Sequence, residues 1–312
     1  MASSGGGPGG GVDCLIVGGG PAGLTAAIYT ARFRLRTMVV DAGNSRAALI
    51  PCTRNHAGFP EGISGGDLLD RMRTQAVRFG VELRPGRVAA IASDACAFKA
   101  SLEHGDVLQA RAVILATGVS NHRPNMDKAL HAMALARGLL RYCPVCDGFE
   151  VTDKSVGVIG CGDRAVKEAT FLRAYSDRVT VIPSSSDDRF TQAQKDALAA
   201  IGVRLVAGPP QTFEVCSRGL AIEAVGALLV FDAVYAALGS TVHSDLAAQL
   251  GADLTEDGCI RVDAHQRSSV AGLYAAGDVV IGLDQISHAM GEAGVAATTL
   301  RNDLAALAPQ LR

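Results

Sequence analysis

Gly18-Gly19-Gly20-Pro21-Ala22-Gly23 follows a short apolar run at 12–17 and precedes a helical pattern at about 24–34. A second apolar strand, 37–40, ends on Asp41. Strand, glycine-rich turn, helix and a strand closed by an acid form the dinucleotide-binding fingerprint in its structural context. Gly18 allows the tight turn. Gly20 lets a pyrophosphate approach the backbone, and Gly23 lets helix and strand pack closely. The helix N-terminus offers N–H groups and partial positive charge to phosphates. Asp41 stands near the spacing at which a carboxylate accepts from a ribose hydroxyl. The bland alternative is a glycine-rich turn without a ligand.

The pattern returns at 155–159. Gly160-Cys161-Gly162-Asp163-Arg164-Ala165 takes the place of Gly18 to Gly23, and a helix (166–174) and a strand (179–182) follow at matching offsets. The expected class is therefore α/β, with two Rossmann-like (three-layer) nucleotide-binding domains. Gly160, Gly162 and Ala165 are the second unit's candidate nucleotide contacts. Pro183 stands where the first unit has Asp41. Ser184, Ser185 and Ser186 follow, with Asp187 and Asp188 behind them, and only Arg189 is near to meet a 2′-phosphate. The second unit is built for a nucleotide but poorly equipped to hold one.

Immediately before the second unit lies Tyr142-Cys143-Pro144-Val145-Cys146-Asp147-Gly148. Two thiols three residues apart open and close a disulfide with little backbone movement, and a helix N-terminus beside them lowers a thiol pKa. Paired cysteines at this spacing also form half a zinc site. That reading needs a second pair or histidines, and the other six cysteines are scattered singly.

Elsewhere, 44–64 reads as a polar loop containing Asn55, and 67–79 as an amphipathic helix. Short strands are expected at 81–83, 87–91 and 97–102. The strand 112–116 ends on Thr117-Gly118. A linker and a helix (127–139) carry His122, Arg123 and His131, read as solvated charges at a domain boundary. Further on come a helix at 191–200 and strands at 203–205, 213–217, 220–223 and 228–230. A strand at 232–238 follows, then the stretch 260–263 leads into a strand ending on Gly277-Asp278, and a last helix lies at about 285–307.

Of the 312 residues, 48% are hydrophobic and 19% charged, so large cores are within reach. A formal charge of −2 gives no electrostatic reason to expect nucleic acid or an anionic membrane as partner. No apolar run reaches the roughly 18 residues of a membrane span. Residues 1–11 read as a disordered Gly/Ser tail without the features of a signal peptide. Eight cysteines in such a chain fit a reducing cytoplasmic setting, where a disulfide is more often catalytic than structural.

The order and spacing of GGGPAG (18–23), NHAGFPEGISG (55–65), ATG (116–118), CPVCDG (143–148), GxGxxA (160–165) and YAAGDV (274–279) resemble the low-molecular-weight thioredoxin reductases, flavin-dependent disulfide reductases. The resemblance covers almost everything after Gly11. It implies a FAD domain in two pieces, 12–118 and 243–312, with a pyridine-nucleotide-type domain, 119–242, inserted between them and carrying the CxxC. It implies a homodimer, and as partner a thioredoxin-like protein or a small dithiol or disulfide. FAD would be bound by Gly18, Gly20, Gly23, Asp41, Asn55, Gly277, Asp278, Gln285 and Ile286, with the Gln285 backbone N–H toward the flavin pyrimidine edge. Cys146 would face the flavin ring, Cys143 would attack the partner disulfide, and Asp147 would be the general acid/base. No metal is implied.

The chain departs from the family in four places. Ser184 and Ser185 replace the basic pair that grips NADPH. Arg164 stands where Ser or Thr is usual, Asp284 where Arg is usual, and Asn44-Ser45-Arg46 replaces a Gly-Gly-Gln type loop. NADPH is therefore an uncertain donor. Atypical branches take electrons from ferredoxin, carry a second flavin, or oxidise small dithiols with oxygen. A flavin-binding redox sensor without turnover is the alternative of another class.

Overall fold

A computed structural model describes residues 11–94, 97–187 and 189–309. The expected tail, Gly11 apart, and Asp188 lie outside the described residues. The chain divides into two compact units. One comprises the chain up to Ala48, Gly66–Ser120 and everything from Val242; the other comprises Leu49–Gly65 and Asn121–Thr241.

The first unit opens with β1 (Val12–Val17), α1 (Pro21–Arg32) and β2 (Thr37–Asp41). Then come α2 (Gly65–Arg78), β3 (Glu82–Pro85), β4 (Val88–Ser93), β5 (Phe98–Leu102) and β6 (Val107–Leu115). Helix α1 starts three residues before the expected 24: Gly20 caps it and Pro21, with its preset φ, occupies the first turn. A crossover strand β7 (Val119–Asn121) leads to α3 (Lys128–Ala136). Asp127 caps α3 by accepting from the N–H groups of Ala129 and Leu130 at 2.8 and 3.0 Å. The helix stops short of the expected 139 because Gly138 turns left-handed, φ +65°.

The second unit continues with β8 (Leu140–Arg141), α4 (Pro144–Asp147), β9 (Val156–Gly160), α5 (Gly162–Leu172) and β10 (Val179–Ile182). Next are α6 (Gln192–Ala200), β11 (Arg204–Leu205), β12 (Thr212–Cys216), β13 (Gly219–Ala224), β14 (Ala227–Phe231) and β15 (Ala233–Ala237). The returning crossover strand β16 (Ser240–Val242) pairs with β7. The first unit is completed by α7 (Asp245–Gln249), β17 (Leu273–Ala275) and α8 (Ile286–Leu307). Between α7 and β17, Ile260 makes isolated bridges with Leu254 and Val280. There the Asp263 carboxylate accepts from the N–H groups of His265 and Arg267 and folds the backbone into a turn.

The sheet of the first unit runs β3-β2-β1-β6-β5-β4, with β17 also on β6. Strands β1, β2, β3, β6 and β17 pair in parallel, and β4–β5–β6 antiparallel. Cys14 and Ile16 of β1 enter one core with Ala26, Ala293 and Leu300, while Leu15 and Val17 enter another with Leu115 and Val279. Both faces of β1 are therefore covered, which is why it reads as an unbroken apolar run. The second unit repeats the plan as a parallel sheet, β11-β10-β9-β15-β8. An antiparallel sheet β12-β13-β14 accompanies it. The fold is α/β with two Rossmann-like sheets.

Candidate active site

The sequence around the CxxC bends because Pro144 starts a single helical turn and Cys143 caps it. The cap brings the Cys143 and Cys146 Cα atoms to 5.3 Å, and the two sulfurs are bonded. The Cys146 N–H points at Cys143 Sγ, 3.2 Å away. A thiolate on Cys143 has a backbone donor waiting for it, which favours the ionised form. Val145 and Phe149 on either side are exposed, and Pro144 is buried.

Asp147 ends this turn. Its Oδ1 accepts from the Tyr235 hydroxyl at 2.7 Å, and its Oδ2 pairs with Arg141 at 2.7 Å. Tyr235 also reaches the Asp147 carbonyl at 3.2 Å. Burial pushes the Asp147 pKa above the usual carboxylate range, while Arg141 and the Tyr235 hydrogen bond hold it down. The group is thus poised to carry a proton one residue from the disulfide.

The first fingerprint forms a cradle with no room for side chains. Gly18 adopts φ +111°, and a Cβ there would fall 2.2 Å from the Ala116 carbonyl oxygen. A Cβ on Gly19 would meet Asp41 Oδ2 at 2.3 Å, whereas at Gly20 the nearest atom is Ser45 Oγ at 3.2 Å. A Cβ on Gly23 would strike the Gly18 carbonyl at 1.9 Å. The Asp41 carboxylate closes β2, accepts from Gly43 N–H at 3.0 Å and faces Arg73 at 3.6 Å. Gly277 (φ +81°) donates to Glu292 at 2.8 Å, and Ala22 and Ala289 press on the side where its Cβ would stand. Gly277 and Asp278 thus lie between the N-terminal ends of α1 and α8. Burial and the neighbouring Asp284 push the Asp278 carboxyl upward, against the guanidinium of Arg46. Arg46 bridges Asp278 at 3.0 Å and Asp284 at 2.8 Å.

Gln285 caps α8, and Ile286 opens it, so first-turn N–H groups project from that end. The Gln285 N–H itself donates to the Leu283 carbonyl at 2.6 Å. Asn55 is exposed and accepts from Thr53 Oγ1 at 2.9 Å. It belongs to the segment Leu49–Gly65, which groups with the second unit, apart from the other expected flavin residues.

The second fingerprint keeps its backbone. Gly160 packs against Ala237, and a Cβ there would meet the Ala237 carbonyl at 2.6 Å. Gly162 takes φ +57°, and Ala165 is fully buried. Pro183 is buried at the end of β10.

The chain matches the pyridine nucleotide-disulphide oxidoreductase family model over residues 12–293. It is 36% identical to a thioredoxin reductase of Streptomyces coelicolor, over 86% of each chain. The chain belongs to the thioredoxin reductase family. It is also 33% identical to a bifunctional thioredoxin reductase/thioredoxin of Mycobacterium leprae, over 86% of this chain and 60% of that protein. The thioredoxin reductase structure from Streptococcus pyogenes superposes with a TM-score of 0.86 at 28% identity, covering 95% of this chain and 98% of the other. Like others of its family, this chain is a disulfide oxidoreductase, with its CxxC closed as a disulfide.

Three neighbours of the CxxC stretch are not marked by any motif. Tyr235 lies in the strand expected at 232–238; a tyrosine among Ala and Val carries a hydroxyl that needs a partner, and that is the signal that marks it. Arg141 lies just beyond the helix expected at 127–139 and carries no motif of its own. His131, expected to be solvated, is buried and hydrogen-bonds the Tyr142 hydroxyl at 2.7 Å. Burial, with the Arg123 charge second, lowers the His131 pKa, so the ring is held neutral and a polar pair is satisfied inside the fold.

Proposed function

We propose that this thioredoxin reductase family member relays two electrons between bound FAD and the Cys143–Cys146 pair, and that the dithiol exchanges with a thioredoxin-like protein. The observation that carries the reading is the cluster at the CxxC: a sulfur facing a backbone donor, followed by a half-buried carboxyl held between Arg141 and Tyr235. FAD fits the first unit, because the cradle of Gly18, Gly19 and Gly23 excludes side chains and Asp41 ends the adjoining strand. Gly18, Gly20, Gly23 and Asp41 would hold its adenosine half. Gly277, Asp278 and the α8 end at Gln285–Ile286 would hold the flavin side. The flavin, when bound, supplies or accepts the electron pair at the disulfide.

In the reduced protein the Cys143 thiolate attacks a sulfur of the partner disulfide. The Cys143–partner bond forms, the partner S–S bond breaks, and Asp147 protonates the departing thiolate. Cys146 then attacks Cys143 Sγ, re-forming the internal disulfide and releasing the partner as a dithiol. Two electrons have passed outward. The assignment is tested with Cys143→Ser. The remaining Cys146 thiolate beside oxidised flavin gives a long-wavelength charge-transfer band; a band only in Cys146→Ser inverts the roles.

A second reading runs the same relay from a small dithiol onto flavin and then oxygen. It is favoured by Pro183-Ser184-Ser185, which brings no cation to the end of β10. Rapid reoxidation of the reduced protein by air distinguishes it. We further take the protein to be a cytoplasmic homodimer, supported by family membership and the use of its cysteines; sedimentation velocity tests the dimer.

A further inference from the structure

The second Rossmann unit carries a guanidinium where a dinucleotide would lie. In an open parallel sheet the ligand crevice sits beyond the carboxyl ends of the strands, where the strand order reverses. In the order β11-β10-β9-β15-β8 that point lies between β9 and β15. Its walls are the Gly160–Gly162 turn and the loop at Gly239. The guanidinium of Arg164 stands in this place: a Cβ built on Gly239 would find its Cζ, Nε and Nη2 all at 3.6 Å.

The first unit provides an internal control. Gly118, just past its matching strand β6, shares the left-handed backbone, φ +63° against +83° at Gly239. A Cβ on Gly118 meets nothing within 4 Å. The residue at Arg164's place in the first fingerprint is Ala22, and at Glu168's place is Ala26; both are small and buried. In the second unit Glu168 follows Arg164 by one helical turn on the same face. Its Oε2 is buried without a hydrogen-bond partner, and it brings no cation to a phosphate. The adenosine end lacks a grip as well, with Pro183 in place of the ribose acid and serines in place of a basic pair.

We propose that Arg164 is an exclusion residue: its side chain occupies the pyrophosphate lane of the second unit, and the unit is closed to pyridine dinucleotides. A phosphate clamp is the opposite role for the same side chain, and it makes the opposite prediction. The inference concerns the donor side of the relay and rests on that reading only for which nucleotide to offer.

The test is calorimetric titration of the FAD-loaded protein with NADP+. Wild type is compared with Arg164→Ser and Arg164→Ala, and Ser184→Arg/Ser185→Arg is compared with and without Arg164→Ser. Arg164 is exposed, and the flavin spectrum reports that each variant is folded. The expected result is an affinity at least about tenfold tighter whenever Arg164 is removed, the scale of one relieved charged contact. An unchanged or weaker affinity on both backgrounds, or binding in none of the proteins, overturns the proposal. The Cys143→Ser charge-transfer band does not depend on this result, so the relay and the exclusion residue fail separately.

Discussion

The Tyr235 hydroxyl donates to Asp147 over 2.7 Å from a strand 88 residues further along the chain. This bond lowers the Asp147 pKa, whereas burial raises it, and burial wins. In the proposed relay Asp147 donates its proton, so turnover is expected below its pKa and falls as pH rises through it. Tyr235→Phe removes the stabilising donor from the carboxylate. The alkaline limb of disulfide reduction then moves to higher pH. Asp147→Asn abolishes the limb and lowers turnover by about 10²-fold. Rate–pH profiles with a disulfide substrate check both, and an unmoved limb in Tyr235→Phe removes Tyr235 from the proton path.

Arg46 and Asp284 are two of the chain's departures from its family, and they touch. Their pairing turns two isolated exceptions into one exchange of charges beside Asp278. Arg46→Ala is expected to weaken FAD retention by about tenfold, the scale of a lost charge-assisted contact. Arg46→Asp combined with Asp284→Arg recovers part of that loss. Release of FAD fluorescence on dilution measures both, and equal retention in all three proteins rules the pair out as a cofactor strap.

Glu168 titrates at about 7 in the fold, raised from 4.5 by burial against the pull of Arg164. The folded state binds this proton more tightly than the unfolded chain. Its stabilising effect is full below pH 4.5 and is lost as pH rises through 7. Glu168→Gln keeps the shape and removes the charge. It should stabilise the protein by roughly 1–3 kcal/mol at pH 8 and leave pH 4 nearly unchanged. Urea midpoints at the two pH values test this, and an equal change at both counts against it.

Gly23→Ala places a methyl group 1.9 Å from the Gly18 carbonyl. The cost is expected to be roughly 2–4 kcal/mol, with loss of FAD, because helix α1 must lift from the turn. Gly43→Ala is the control: its φ is +76° but nothing lies within 4 Å of the new methyl. It should cost only the backbone strain, about 1 kcal/mol. Thermal unfolding with and without added FAD separates the two.

The glycine turns, their flanking strands and the CxxC were legible in the sequence because each is a local pattern with a local cause. Strand 179–182 came out with its observed bounds, since an apolar run between turn residues has one reading. A boundary differs where a glycine ends the element, as at Gly138. The surroundings of Asp147 were not legible. Arg141 and Tyr235 approach it only through the pairing of β8 and β15 in one sheet, and no short-range pattern records such a pairing. The same holds for Arg46, whose partners lie 232 and 238 residues away.

Strand β17 and helix α8 belong to the first unit, yet in the chain they come after the whole of the second. Ala293, Ala296, Ala297 and Leu300 complete the core that begins at Cys14 and Ile16. The residues of the inserted unit are all synthesised before its host can close. A chain cut before α8 would still encode the Cys143–Cys146 pair and its neighbours, while the core around β1 stayed open on one side.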